Sequence, residues 1–147
     1  MTNDNLTWDT NLLYPAPDSP ELETDLGSFE QRAADFREKY FEKTATLDNS
    51  SLLTAICEYE ALQTRMSKPF CYAHLLFADN SGNEVYRALS QRCSELGSRL
   101  SQQLLFFDLE LMELDDNRFE SFFSLPEAAG YRHFLEGIRK FRPHTLK

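Results

Sequence analysis

Apolar side chains recur every three or four residues along most of the chain, the spacing that lines one face of an α-helix. The first stripe follows Ser19 and Pro20, which suit a helix N-cap and a first helical position. It predicts a helix to about Lys43, with an apolar face of Leu22, Leu26, Phe29, Ala33, Phe36 and Tyr40. The preceding residues predict an extended arm anchored by the large side chains Trp8, Leu12, Leu13 and Tyr14.

A second stripe begins after "TLDNSS", where Asn49 or Ser50 can cap a helix, and Pro69 lies within this stripe. Because proline removes a helical hydrogen bond and clashes with the preceding turn, we expect a kink or a new helix there. "ADNSGN" predicts a turn, and a third stripe then runs from about Asn83 to Asp115. Such a helix would reach roughly 50 Å, which favours a hairpin of long antiparallel helices.

The end of the chain predicts a short helix and a final amphipathic helix. Ser124 and Glu127 have the spacing of a capping box, and Pro143 ends or bends the last helix. That helix is expected to bury Ala128, Tyr131, Phe134 or Leu135, Ile138 and Phe141. The predicted fold is all-α, a bundle of about five to six helices with long antiparallel helices. We expect an extended arm at 1–18 and a helical domain at 19–147.

Composition and charge narrow the possible partners. With 41% hydrophobic and 13% aromatic residues, 147 residues can bury one core. The net charge is −9, but five basic and two acidic side chains from Glu127 onward give a local +3, so the rest carries −12. An acidic body disfavours nucleic acid. No membrane span or signal peptide is recognisable, so we expect a cytoplasmic protein without a membrane partner.

No catalytic motif is recognisable. The histidines have no HExxH spacing, and His133 with Glu136 supplies only two of the three protein ligands that a zinc site needs. The acidic residues of "LLFFDLELMELDD" are interpreted as a charged outer helix face; they are Asp108, Glu110, Glu113, Asp115 and Asp116. Asp108 and Glu60 lie near aromatic positions and are expected to be paired, structural carboxylates. The thiols Cys57, Cys71 and Cys93 are expected to be free.

Four segments of the sequence, taken together in their order along the chain, indicate a family resemblance that none of them indicates alone. They are "WDTNLLYP" at 8–15, "YEALQTRMSKPFCYAHLLFADNSGNE" at 59–84, "LLFFDLEL" at 104–111 and "YRHFLEGIRKFRPHTL" at 131–146. Together they resemble the N-terminal helical region of the oligoendopeptidase F (PepF) family, zinc-dependent peptidases related to thimet oligopeptidase. The resemblance covers essentially the whole chain.

The resemblance implies an all-helical fold whose N-terminal helices form one wall of a channel that admits short peptides. It also implies a chain that continues well beyond Arg142, His144 and Leu146, with the HExxH zinc helix far downstream. We therefore expect a cut before the catalytic domain. No catalytic or metal-binding residue can be carried over, so we expect no cofactor in this fragment, zinc in the parent protein and no activity of the fragment alone.

The missing catalytic domain is then the expected partner of this chain, and short peptides are the expected substrates of the parent protein. The residues predicted to dock on the catalytic domain are Trp8, Tyr14, Arg139, Arg142 and His144. Apolar surface that the catalytic domain normally covers would let the isolated fragment dimerise.

Two other interpretations stay open. A free-standing helical-bundle module for protein–protein interaction would show the same long amphipathic pattern. The end of the reading frame separates this module from a peptidase domain. A carboxylate-bridged metal bundle is weaker, because such sites use Glu-x-x-His pairs and no histidine here has a glutamate three residues before it.

Overall fold

The computed structural model describes residues 9–144, and none of these residues lies in a strand. Five α-helices follow one another: α1 (Pro20–Tyr40), α2 (Asn49–Asp79), α3 (Glu84–Glu113), α4 (Asp116–Phe122) and α5 (Arg132–Arg139). Short 3-10 helices lie at Thr10–Leu12, Thr44–Thr46, Pro126–Tyr131 and Arg142–His144. The predicted all-α fold is confirmed.

The helix ends show which polar side chains act as caps. Ser19 Oγ accepts a hydrogen bond from the Leu22 amide at 3.3 Å, which confirms the predicted cap of α1. α1 ends at Tyr40 rather than near Lys43, because the chain turns through a left-handed backbone at Glu42, with φ 59°. The predicted caps of α2 were wrong, since Asp48 Oδ1 accepts from the Ser51 amide at 2.7 Å.

Pro69 does not start a new helix, because α2 continues through it from Asn49 to Asp79. Burial explains why the helix tolerates it. Pro69 is itself fully buried, and Met66 and Tyr72 on either side are 6% and 1% exposed. The apolar contacts of this stretch offset the helical hydrogen bond that proline cannot make.

The start and the buried face of the last helix differ from the prediction. Ser124 caps nothing; the 3-10 helix Pro126–Tyr131 follows Leu125 without a side-chain cap. Leu135 is buried, whereas Phe134 and Phe141 are 40% and 65% exposed. A 3-10 helix has 3.0 residues per turn instead of the 3.6 of an α-helix. The 3-10 helix before α5 therefore rotates the side chains of α5 relative to the positions expected for one continuous α-helix.

The chain divides into two compact units, and each of the three long helices contributes to both. The first unit comprises the residues up to Arg32 together with Leu62–Leu100. Within it, α1 and α3 run parallel, because Glu23 pairs with Arg92 and Glu30, seven residues later, pairs with Arg99. The short turn between α2 and α3 makes these two helices an antiparallel hairpin.

The second unit comprises Ala33–Ala61 and the chain from Ser101 onward. An aromatic cluster fills its interior, and its members are Phe36, Tyr40, Tyr59, Phe106 and Phe107. Phe107 is completely buried, and its ring centroid lies 5.0 Å from that of Phe36 and 5.1 Å from that of Tyr59. Three different helices supply these rings, so the cluster ties α1, α2 and α3 together within this unit.

The predicted boundary between an arm at 1–18 and a domain at 19–147 stays a prediction. Within the described part of the arm, Thr10–Leu12 is a 3-10 helix. Among the predicted anchors of the arm, Tyr14 is 1% exposed and Leu13 is half-buried, but Leu12 is 83% exposed, so its predicted anchoring role was wrong.

Replacing Phe107 by alanine should lower the free energy of unfolding by about 3–5 kcal/mol, because it leaves a large cavity among four other rings. Urea unfolding of the 147-residue chain, followed by circular dichroism, measures this effect. Phe107→Leu is a milder variant in case the alanine variant does not fold, and it should lose part of the same stability. Leu12→Ala at an exposed position is the control, and equal losses in the Phe107 variants and the control would contradict the assigned core.

Candidate functional site

Arg139 binds the start of α4 to α5. Its Nη1 donates to the carbonyl of Leu114, its Nη2 pairs with Asp116, and its guanidinium carbon lies 4.3 Å from the ring centroid of Phe119. The side chain is only 15% exposed. Arg139 therefore fixes the local fold of the C-terminal surface, by which we mean residues 116–142.

Arg132 makes a second contact of the same kind on this surface. Its Nη2 lies 3.1 Å from Glu120 and its Nε 2.9 Å from Glu136, and its guanidinium stands 4.7 Å from the ring centroid of Phe123. Each of these two arginines thus combines carboxylate pairing with an aromatic ring. The basic end of the chain therefore meets acidic side chains within its own unit.

The other predicted docking residues lie in different settings. Arg142 is 3.9 Å from Asp116, with a side chain that is 48% exposed. The backbone of His144 closes the 3-10 helix Arg142–His144, and its side chain lies outside the described residues, as does Trp8. The large exposed apolar side chains of the C-terminal surface are Phe134 and Phe141.

Tyr14, the remaining predicted docking residue, is buried within the first unit. Its hydroxyl donates to Asp25, its ring meets Tyr72 edge-on at 5.1 Å, and the Lys68 ammonium lies 4.4 Å from its ring centroid. Burial, followed by the hydrogen bond to Asp25, raises the pKa of Tyr14. Tyr14 therefore ties the chain before α1 to α1 and α2, and its docking role stays a prediction.

Two carboxylates of α3 have structural partners. For Asp108 this confirms the expectation of a paired carboxylate, and for Glu110 it corrects the interpretation as part of a charged outer face. Both Asp108 oxygens accept from the Tyr59 hydroxyl, at 3.1 and 3.2 Å, and burial raises the pKa of Asp108. Glu110 accepts from the backbone amides of Glu42 and Thr44 and so holds the turn after α1. The half-buried position of both residues is a consequence of the tertiary packing. Glu113 is exposed, as the outer-face interpretation expects.

Glu60 also has a structural partner, as predicted. The Tyr131 hydroxyl donates to Glu60 at 2.8 Å and lies 3.4 Å from the Cys57 sulfur, which joins the 3-10 helix Pro126–Tyr131 to α2. The Cys57 and Glu60 hydrogen bonds raise the pKa of Tyr131. Cys57 and Cys71 are exposed free thiols and Cys93 is a buried one.

Neither a metal site nor a membrane span can be assigned to the described residues. Between residues 9 and 144, no three histidine, cysteine or acidic side chains are grouped so that they could hold a metal ion. Over the same range, the helices lack the length and apolar character needed to cross a bilayer. We therefore assign no zinc ligand to this part of the chain.

Comparison with known proteins points to one family. The family model described as oligopeptidase F matches residues 110–147, which contain the C-terminal surface. The group B oligopeptidase PepB of Streptococcus agalactiae is 29% identical over 102 residues, covering 68% of this chain and 17% of the relative. The oligopeptidase PepF of Bacillus subtilis is 21% identical over 149 aligned residues, covering 95% of this chain and 20% of the relative. No solved structure matches.

These matches confirm the predicted resemblance to the N-terminal region of the oligopeptidase F family. The chain spans about a fifth of the length of the curated relatives it matches.

A further cluster on the second unit was not singled out from the sequence. The guanidinium carbon of Arg37 lies 4.0 Å from the ring centroid of Phe41, and Nη1 of Arg37 donates to the Gln103 carbonyl at 3.4 Å. Residues four apart on a helix are neighbours, so Arg37 and Phe41 were a detectable signal. Gln103 joins them only through the packing of α3, and no local pattern indicates that.

Arg139→Met should lower the free energy of unfolding by about 1–3 kcal/mol, because it removes charge-assisted hydrogen bonds and a cation–π contact from a largely buried side chain. Urea unfolding measures the loss. Arg65→Met, at an exposed position on α2, is the matched control and should change stability by less than about 0.5 kcal/mol. A loss no greater than that of the control would contradict the structural role of Arg139.

Asp108 should make the chain less stable as the pH rises through the pKa of its carboxyl group. Burial raises that pKa in the folded state, so the folded chain binds the proton more tightly than the unfolded chain. The stabilisation from this proton is therefore complete at pH values below the pKa of Asp108 in the unfolded chain. It is lost as the pH rises to the higher pKa of the folded chain. Asp108→Asn keeps an oxygen for Tyr59, so its stability relative to wild type should improve as the pH rises above about 4, the ordinary pKa of an aspartate, and should level off above the raised pKa of the folded chain. An unchanged difference would contradict this assignment, and Glu113→Gln is the exposed control.

Proposed function

We propose that this chain is the non-catalytic N-terminal domain of a zinc-dependent oligoendopeptidase that hydrolyses short peptides. The observation that carries the proposal is the match to two oligopeptidases, of whose length the matched regions cover 17% and 20%. In this proposal the long helices form a wall of the substrate channel, zinc is held by the remainder of the protein, and the complete protein is cytoplasmic.

The C-terminal surface is the proposed contact with the catalytic domain. It lies within the segment that the family model matches, where Phe134 and Phe141 expose apolar rings and the Arg142 side chain is 48% exposed. Apolar groups surrounded by polar ones are typical of protein interfaces. The docking role predicted for Trp8, Tyr14, Arg139, Arg142 and His144 stays a prediction. Without the catalytic domain, the same apolar groups would favour dimers of the isolated chain.

A peptidase assay tests the proposal. A short quenched fluorescent peptide with added zinc is offered to the 147-residue chain and to the product of the complete reading frame. Cleavage by the complete product alone, abolished by a chelator, supports the proposal. A reading frame without HExxH, or a complete product without activity, would favour an interaction module instead. Cleavage by the 147-residue chain would overturn its non-catalytic assignment.

Phe141→Ser in the complete product should loosen domain packing, because it places a hydroxyl in an apolar contact. Limited proteolysis should then release the N-terminal domain at least several-fold faster, while zinc content measured by atomic emission stays unchanged. Leu12→Ser, at a position that is 83% exposed, is the control. Equal release rates for the variant, the control and the wild type would remove the C-terminal surface from the interface.

A further inference from the structure

An open depression of about 530 Å³ lies on the second unit. It is lined by Ala34, Arg37, Glu38, Phe41, Lys43 and Gln103. These residues come from the end of α1, the turn that follows it, and α3. Its volume falls within the range of pockets that hold small ligands.

Phe41 gives the depression an apolar wall that is held in place. The ring is 37% exposed, and it meets the ring of Phe106 edge-on at 5.5 Å with an interplanar angle of 78°. Phe106 is buried in the aromatic cluster, so the exposed face of Phe41 belongs to a packed side chain. Because the Phe41 ring is already ordered, a ligand side chain that packs on it would not have to immobilise the ring on binding.

Two cations stand beside this wall, and each is already oriented. Arg37 lies over the Phe41 ring and donates to the Gln103 carbonyl, and Lys43 donates to the Glu38 carbonyl at 3.1 Å. A guanidinium has five donors and an ammonium three, so both cations can serve a second acceptor. With the carboxylate of Glu38 included, the lining carries a net charge of +1, which a single carboxylate would balance.

Gln103 is the residue of α3 that lines the depression. Its side-chain oxygen is closed to solvent and accepts no hydrogen bond from the described residues, so it is not offered to a ligand. The groups that the depression does present are two cations and an apolar ring. A carboxylate next to an apolar side chain occurs in the last residue of a peptide.

We propose that this depression binds the carboxy-terminal residue of a peptide, with its carboxylate toward Arg37 and Lys43 and its side chain on Phe41. The choice of a peptide rests on the proposed function. A polyphosphate fits less well, because Phe41 and Ala34 make much of the lining apolar and the lining carries only one net positive charge.

The test is a titration of the 147-residue chain with N-acetyl-Ala-Ala-Phe, followed by two-dimensional NMR of the backbone amides. The acetyl group removes the peptide's ammonium, and the same peptide with a carboxamide end is the matched ligand control. We expect the free acid to shift the amides of Arg37, Phe41, Lys43 and Gln103 in the millimolar range, and the carboxamide to bind about tenfold more weakly. Equal binding of the two peptides, or shifts located elsewhere, would overturn the proposal.

Variants separate carboxylate recognition from a general attraction of anions. Lys43→Met leaves the contact of Arg37 with Phe41 in place and should weaken binding of the free acid about fivefold without changing the carboxamide. Arg65→Met, on an exposed part of α2, should change neither. Inorganic phosphate that shifts the same amides at equal concentration would also overturn the proposal.

The outcomes distinguish this proposal from the proposed function. The titration uses the 147-residue chain and needs no catalysis, whereas the peptidase assay uses the complete product. Cleavage by the complete product with no peptide binding at Arg37 would reject the subsite alone. Peptide binding here with no cleavage by the complete product would reject the peptidase assignment while retaining the subsite.

Discussion

The packing of aromatic rings around Phe107 is the interaction on which the second unit depends. Phe107 is fully buried, and its neighbours come from α1, α2 and α3. Tyr40 and Tyr59 take part through their rings, while their hydroxyls reach Glu58 and Asp108. These hydrogen bonds lie at the edge of the apolar cluster. Partial burial there raises the pKa of Asp108, and the Tyr59 hydroxyl donates a hydrogen bond to its carboxyl group.

Contacts between an arginine guanidinium and a phenylalanine ring recur in the second unit. They show how the positive charge of the last part of the chain is used. Arg37, Arg132 and Arg139 each lie within 4.7 Å of a phenylalanine ring centroid, and the two on α5 also pair with acidic side chains. A planar guanidinium can stack on a ring and bind a carboxylate at the same time, which a lysine ammonium does less well. The local positive charge is therefore largely used within the fold.

The similarity to known proteins and the geometry of the depression concern different surfaces of the second unit. Matches to PepB and PepF show a resemblance to the N-terminal region of oligopeptidases, and the segment matched by the family model includes the exposed rings of Phe134 and Phe141. The depression beside Arg37 lies elsewhere on the second unit. An interface and a ligand subsite would thus occupy separate surfaces of this unit.

Helical periodicity and cap chemistry determined the long helices from sequence alone. The stripe from Leu22 to Tyr40 and the Ser19 cap are local patterns, and they predicted α1 well because the apolar spacing of a helix does not depend on its partners. The family resemblance likewise came from the order of segments. Tertiary structure decided what depends on neighbours distant in sequence: the continuation of α2 through Pro69, the exposure of Phe134 and Phe141, and the partners of Asp108 and Glu110. Those outcomes follow from which surfaces become buried, and burial is set by packing between helices rather than by the residues adjacent in the chain.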